Sequence, residues 1–261
     1  MTPPILVTTK DQIRTIIFNR PQVLNAIDLD TAFALWQALV DASKDDTRAV
    51  LITGQGRGFC SGGDLKFAQD VGSDNLGKAF SHLTTVLHDC VREIRQMSKP
   101  VIAAINGPAA GAGLFLALAS DLRVMAETAY LKQSNTSYGL SLPAGGTFNL
   151  PRLVGMGRAL EIILLDEKIP AARALELGLV TSVAPDYSFD VTAYELAKRV
   201  SAMPIETIGR VKQLMNQAFD QSLSRQLDAE RQAIAISANS TEGREGVAAF
   251  VEKRKPQFCT R

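Results

Sequence analysis

The chemistry available to this sequence is concentrated in two glycine-rich turns. Phe59-Cys60-Ser61-Gly62-Gly63-Asp64 and Gly107 to Gly113 each carry the chain from an apolar run toward a helical one. Glycines open backbone dihedrals closed to other residues and let a ligand come near, while the first amides of a helix lack internal partners and point outward along a favourable dipole. Two such turns can aim two amide N–H groups at one oxygen. That arrangement is an oxyanion hole, which stabilises charge developing on a carbonyl. The same glycines also suit tight helix–strand packing, and the residues alone weigh the two readings evenly.

Other chemistries fit less well. Gly72-Ser73-Asp74-Asn75-Leu76-Gly77-Lys78 has the spacing of a phosphate-binding P-loop, but Ala79 stands where a hydroxyl should hold magnesium, and no apolar strand precedes it. Gly111-x-Gly113 and Gly54-x-Gly56 begin like dinucleotide fingerprints and fail at Leu116 and Phe59. Gly139-Leu140-Ser141-Leu142-Pro143 lacks the last glycine of a nucleophile elbow. The two histidines, His82 and His88, are six apart on one expected helix and so point about 120° apart, which makes a shared metal difficult. Cys60, Cys90 and Cys259 are odd in number and widely spaced with no CxxC pair, arguing against a disulfide framework or a zinc site.

The elements that must position these turns follow from pattern. Ile5 to Thr9 and Ile13 to Phe18 read as a hairpin around Lys10-Asp11. Asp28 is a candidate N-cap for a helix presenting Phe33, Trp36, Leu39 and Val40. Ala49 to Thr53 and Val101 to Ile105 are short apolar strands that run into the two turns, and a long helix is expected from about Asp74 to Met97. Continuous apolar strands separated by helices imply a parallel sheet buried on both faces, hence α/β. Beyond Pro185 the pattern is helical, over 191–201, 206–218, 223–237 and 242–253.

Composition narrows the partners. With 46% hydrophobic and 21% charged residues among 261, the chain is an ordinary globular protein with room for a sizeable core. Its net charge of +1 gives no reason to expect nucleic acid as a main partner. The longest nearly apolar stretch, Gly107 to Ser120, is too short to cross roughly 30 Å of hydrocarbon, so no membrane span is expected. The first residues lack secretory or transit patterning, so a cytoplasmic location with reduced thiols is expected and the Asn-x-Ser/Thr triplets at Asn135 and Asn239 are discounted.

Taken together, the strings resemble the crotonase superfamily, the enoyl-CoA hydratase/isomerase family. The resemblance rests on Asn19-Arg20-Pro21 with Leu24-Asn25-Ala26, on Phe59 to Leu65, on Lys99-Pro100-Val101-Ile102-Ala103-Ala104-Ile105-Asn106-Gly107 and on Ser120-Asp121. It continues through Ala144-Gly145-Gly146-Thr147, Leu150-Pro151-Arg152-Leu153-Val154-Gly155, Ala174 to Val180 and Glu242 to Pro256. It implies a spiral of ββα turns over residues 1–188 that binds acyl-CoA, and a C-terminal all-helical trimerisation region over 189–261. Homotrimers or homohexamers are implied with it. The substrate implied is an acyl-CoA, with coenzyme A as part of that substrate and no bound cofactor or metal.

Carried over residue by residue, the oxyanion amides fall on Gly63 and Ala112. Ala26, Asp64, Leu65 and Lys66 match the substrate-binding segments, the last three along the pantetheine and adenine path. Phe250 and Lys253 match positions that meet the CoA end from a C-terminal helix, often across subunits. Lys66 and Lys253 would meet CoA phosphates as point charges. The two glutamates used by the family's hydratases fall on Phe115 and Asn135, and neither side chain transfers a proton at neutral pH. The acid positions of some isomerases and dehalogenases fall on Leu142, Pro143 and Ala144.

These replacements favour isomerisation or another enolate step over ordinary hydration, with Phe115 facing an apolar acyl group and Asn135 orienting substrate or water. His88, Tyr138 and Glu230 are candidates for a relocated acid or base. Two alternatives stay open: a catalytically silent acyl-CoA binder, and a thioester or β-diketone hydrolase with water placed by His88.

Overall fold

A computed structural model of the protein describes residues 2–71 and 75–258. Gly72, Ser73 and Asp74 of the P-loop-like string, and Cys259, lie outside the described residues. Strands β1 (Ile5–Lys10) and β2 (Ile13–Phe18) pair antiparallel around Asp11 and Gln12, whose φ values of 49° and 58° are left-handed. Two consecutive positive φ angles match the twist of the flanking strands in a two-residue hairpin. The next helix, α1 (Leu29–Lys44), starts where the Asp28 carboxylate accepts the Thr31 amide at 2.8 Å. Strand β3 (Ala49–Gly54), the short helix α2 (Leu65–Val71) and the long helix α3 (Leu76–Gln96) follow, then β4 (Val101–Ile105), β5 (Ala109–Ala110) and α4 (Ala112–Ala119). The chain continues through β6 (Leu122–Ala126), β7 (Tyr130–Lys132), α5 (Gly146–Val154), α6 (Met156–Leu165), β8 (Ile169–Pro170), α7 (Ala171–Glu176) and β9 (Ser182–Ala184).

The main sheet runs in the order β1-β2-β3-β4-β6-β9, parallel from β2 onward. Residues Ala49 to Ile52 of β3 and all five residues of β4 are buried, as strands covered on both faces must be. A second, smaller ladder orders β5-β7-β8 and is extended by the bridges Ile27–Gly63 and Cys60–Ala109. The passes through β2, β3, β4 and β6 are each followed by a brief pass through the small ladder or its bridges, and the glycine turns lie on that second pass. This is the expected spiral of α/β units.

Buried polar contacts lock these layers. The Lys99 ammonium, at the start of β4, donates to the Ala42 and Asp45 carbonyls and to the Asp45 carboxylate at 2.7 Å, tying the end of α1 to the sheet. Asp121 accepts the Val101 amide and the Lys212 ammonium, each at 2.7 Å.

Four helices close the chain: α8 (Phe189–Ser201), α9 (Ile205–Gln217), α10 (Leu223–Asn239) and α11 (Thr241–Val251). Buried Phe189, Ala193 and Ala197 place α8 in the same hydrophobic core as the sheet. α8 thus presents an apolar face to the sheet. Lys212 pins α9 to the core, whereas α10 and α11 expose Leu223, Leu227, Ile234, Val247, Phe250 and Val251. Among the described residues no helix is long and apolar enough to cross a membrane.

Partial burial by itself raises the Asp45 carboxyl, but hydrogen bonds from Lys99 and Thr47 outweigh it and hold the group at about 2, below its ordinary 3.8. A depressed native pKa adds stability that is complete above pH 4 and is lost as pH falls toward 2. Urea unfolding midpoints measured across that window should fall for the native protein. They should fall less steeply for Asp45→Asn, and equal slopes would remove Asp45 from the acid response.

Candidate active site

The two glycine turns dock on each other through the backbone. The Phe59 and Cys60 amides both donate to the Pro108 carbonyl (3.1 and 3.2 Å), and the Ala110 amide donates to the Cys60 carbonyl at 2.9 Å. Gly62 has φ +101°, and a Cβ there would lie 2.9 Å from the Ala110 carbonyl oxygen and 3.2 Å from the Ala112 nitrogen. A Cβ on Gly113 would lie 2.3 Å from the Cys60 carbonyl oxygen. The approach is possible only because these residues lack side chains. The packing role of the glycines and the exposure of amides are therefore parts of one arrangement.

Two amides are left over by this docking. In the parallel Ile27–Gly63 bridge, the Ile27 amide donates to the Gly62 carbonyl (2.8 Å) and the Asp64 amide to the Ile27 carbonyl (2.9 Å). The N–H of Gly63 itself faces away from that pairing. Ala112 is the first residue of α4, so its N–H has no preceding turn to bond. Among the described residues neither amide has a hydrogen-bond partner, and both residues line one cavity of about 490 Å³.

One wall of the cavity is a stripe of α3, comprising Phe80, Leu83, Thr84, Leu87 and His88. The facing wall is the 134–143 loop, which carries Asn135 and Tyr138. Asp166 anchors that loop from beneath: it accepts the Ser134 amide at 2.7 Å and the Ser137 hydroxyl, with Lys132 at 3.7 Å. The Asn135 Nδ2 donates to the Ser141 carbonyl at 3.3 Å, which orients the amide. Its Oδ1 is buried without a partner and lies 3.5 Å from where a Gly111 Cβ would be. An unpaired buried acceptor costs about 1–3 kcal/mol.

Among the described residues no carboxylate lines the cavity, and the titratable groups on its walls are His88 and Tyr138. Cys60 lies behind the wall, fully buried, and desolvation pushes its thiol up to about 12, so it stays protonated and is no nucleophile.

The remaining expected site residues are dispersed. Leu65 lines the cavity. Asp64 pairs with Arg20 at 3.0 Å and caps α2 by accepting the Phe67 amide at 3.2 Å, so its carboxylate serves the turn. Ala26 is buried, and its carbonyl accepts from Arg20 at 2.7 Å. Lys66 is exposed on α2. Phe250, 85% exposed, and Lys253 lie at the end of α11 and do not line this cavity. Phe115 corrects an expectation: its ring is fully buried rather than on the cavity wall, because it lies over Gly146 of α5, where a Cβ would come within 2.7 Å of it. Glu230 is exposed on α10 and also lies off the cavity. Sequence reasoning missed Asp166 as the anchor of the loop. It also missed the α3 stripe, whose spacing of three and four residues shows a helix face but not what that face covers.

A family model described as enoyl-CoA hydratase/isomerase matches residues 8–261. The chain is 38% identical over 258 residues, 97% of each chain, to 1,2-epoxyphenylacetyl-CoA isomerase of Escherichia coli. It is 38% identical over 253 residues, 95% of each chain, to a probable enoyl-CoA hydratase of Rhodobacter capsulatus. Among solved structures, an enoyl-CoA hydratase from Polaromonas sp. JS666 superposes with a TM-score of 0.92 at 35% identity, covering 97% of this chain and 98% of that one. The fold and site thus define a crotonase-type enzyme. The chain belongs to the enoyl-CoA hydratase/isomerase family.

The docking of the turns generates a stability prediction. Gly62→Ala combines a strained φ with a backbone collision and should cost about 1–3 kcal/mol, lowering Tm by roughly 3–10 °C in a thermal melt. An unchanged Tm would mean that the turns are not closed against each other.

Proposed function

We propose that this protein is a coenzyme A thioester isomerase that works through an enolate. The thioester oxygen is held by the Gly63 and Ala112 amides, and Asn135 Oδ1 accepts a hydrogen bond from the substrate or from a bound water. The observation that carries this reading is the pairing of two unpartnered amides with one cavity that, among the described residues, has no carboxylate on its walls. Hydration in this family draws on two glutamates; here Phe115 and Asn135 stand in their places, and an isomerase among the relatives supports the same direction. Leu65 flanks the acyl-CoA path, and Lys66, Phe250 and Lys253 are assigned to the CoA end.

Hydrolysis of a thioester or β-diketone is a second reading, because His88 lies on the cavity wall and could hold water. Release of free CoA thiol separates it from the first.

Ala112→Pro tests the oxyanion assignment, since proline suits the first position of a helix yet has no N–H. On a panel of enoyl-, hydroxyacyl- and aroyl-CoAs it should lower kcat by about 10²- to 10³-fold with the circular dichroism unchanged. Asn135→Ala should cost about tenfold, the worth of one ordinary hydrogen bond. Activity of Ala112→Pro within threefold of the native protein would overturn the assignment, and efficient crotonyl-CoA hydration that survives Asn135→Ala would overturn the isomerase reading.

The exposed apolar faces of α10 and α11 support assembly as a homotrimer or homohexamer. Light scattering should give three or six times 28.1 kDa, and a monomeric mass would overturn this.

A further inference from the structure

We propose that His88 is the proton carrier of this site, taking a proton from the carbon next to the thioester carbonyl of a β,γ-unsaturated acyl-CoA and returning it at the γ-carbon. The proposal rests on the thioester reading above and assigns the step that reading leaves open.

Among the described residues the cavity supplies two free amides for an oxyanion and no carboxylate to move a proton. Its hydroxyls do not fill the gap. Thr84 Oγ1 is turned back onto the Phe80 carbonyl at 2.7 Å, Ser61 Oγ donates to the Val23 carbonyl at 3.3 Å, and serine and threonine keep their protons at neutral pH. Imidazole is the side-chain type that exchanges a proton there. His88 stands one and two turns beyond Thr84 and Phe80 on the stripe of α3 that walls the cavity. Among the described residues it makes no hydrogen bond or ion pair, and it lines the cavity. The charged neighbours on its own helix, Asp89 and Arg92, are paired with each other. Among the described residues of the other elements around the cavity, the one titratable group lining it is the Tyr138 phenol.

The step balances without a co-reactant. Neutral imidazole accepts the Cα proton, and the C–H electron pair passes into the carbonyl to give a dienolate whose oxygen lies on the Gly63 and Ala112 amides. The imidazolium then returns that proton to Cγ, the carbonyl reforms, and the double bond has moved from β,γ to α,β with no net change in oxidation state.

The test pairs thioester binding by calorimetry with exchange of Cα protons of butyryl-CoA in D₂O, followed by NMR, and with isomerisation of a β,γ-enoyl-CoA. His88→Gln keeps a hydrogen-bonding side chain without proton transfer. It should lower both exchange and isomerisation by about 10²- to 10⁴-fold while leaving butyryl-CoA affinity within threefold. Added imidazole should restore exchange and isomerisation in His88→Ala. Exchange within threefold of native in His88→Gln, or an equal loss of affinity, would overturn the proposal. So would His88-dependent release of free CoA, which assigns the imidazole to water. Native protein that binds butyryl-CoA without exchanging it overturns the role of His88 alone, whereas no binding of any thioester overturns the thioester reading with it.

Discussion

Hydrogen bonding between the turns that follow β3 and β4 is the constraint on which the site depends. These strands are parallel neighbours, so both turns leave the sheet at the same end and a few residues bring them into contact. The bonds from Phe59 and Cys60 to Pro108, and from Ala110 back to Cys60, then fix their register. Once docked, each turn has one amide that its own pairing cannot satisfy: Gly63 because of the side of the bridge it occupies, Ala112 because it begins a helix. The site is thus made from what regular hydrogen bonding leaves unmet, and its position is as rigid as the sheet.

That rigidity is maintained from below by buried charge. Lys99 fastens the end of α1 to the start of β4, and Asp121 fastens the Val101 amide at the other side of the same strand to Lys212 of α9. Burial lowers the Lys212 pKa while Asp121 opposes that shift, and two main-chain carbonyls complete its shell. Removing one member of such a set leaves the other buried and uncompensated, which costs more than the intact pair contributes. The strand that delivers the second turn is therefore held at its start, well away from the cavity.

Packing also shapes what the cavity lacks. Phe115 turns its ring onto Gly146, so the first turn of α4 offers the cavity a backbone amide and no acidic side chain. Across from it, Asp166 spends its carboxylate on the 134–137 segment and its neighbour Lys132 rather than on a ligand. Among the described residues, the polar groups on the cavity walls therefore include the two amides, Asn135, Tyr138 and His88 rather than an acid. An enclosure with two amide donors and, among the described residues, no carboxylate suits a carbon acid whose charge develops on one oxygen.

Much of this was legible in the amino-acid order, because it is settled by short-range chemistry. The hairpin, the Asp28 cap, the apolar strands and the two turns depend on a residue and its immediate neighbours, while the replacement of both glutamates was legible through the family resemblance. Other features depend on segments far apart in the chain, and only the tertiary structure decided them. The α3 periodicity marks a face, but the 134–143 loop and the turn at 61–63 decide that this face walls a cavity with His88 on it. Phe115 could face substrate or core until α5 brought Gly146 beneath it, and α8 joined the core because the sheet offered it an apolar surface. The unpaired oxygen of Asn135 is likewise a product of long-range placement, since its amide is oriented by Ser141 and its loop is held by Asp166. Local sequence specifies which groups exist and which elements carry them; their convergence is a property of packing between distant elements.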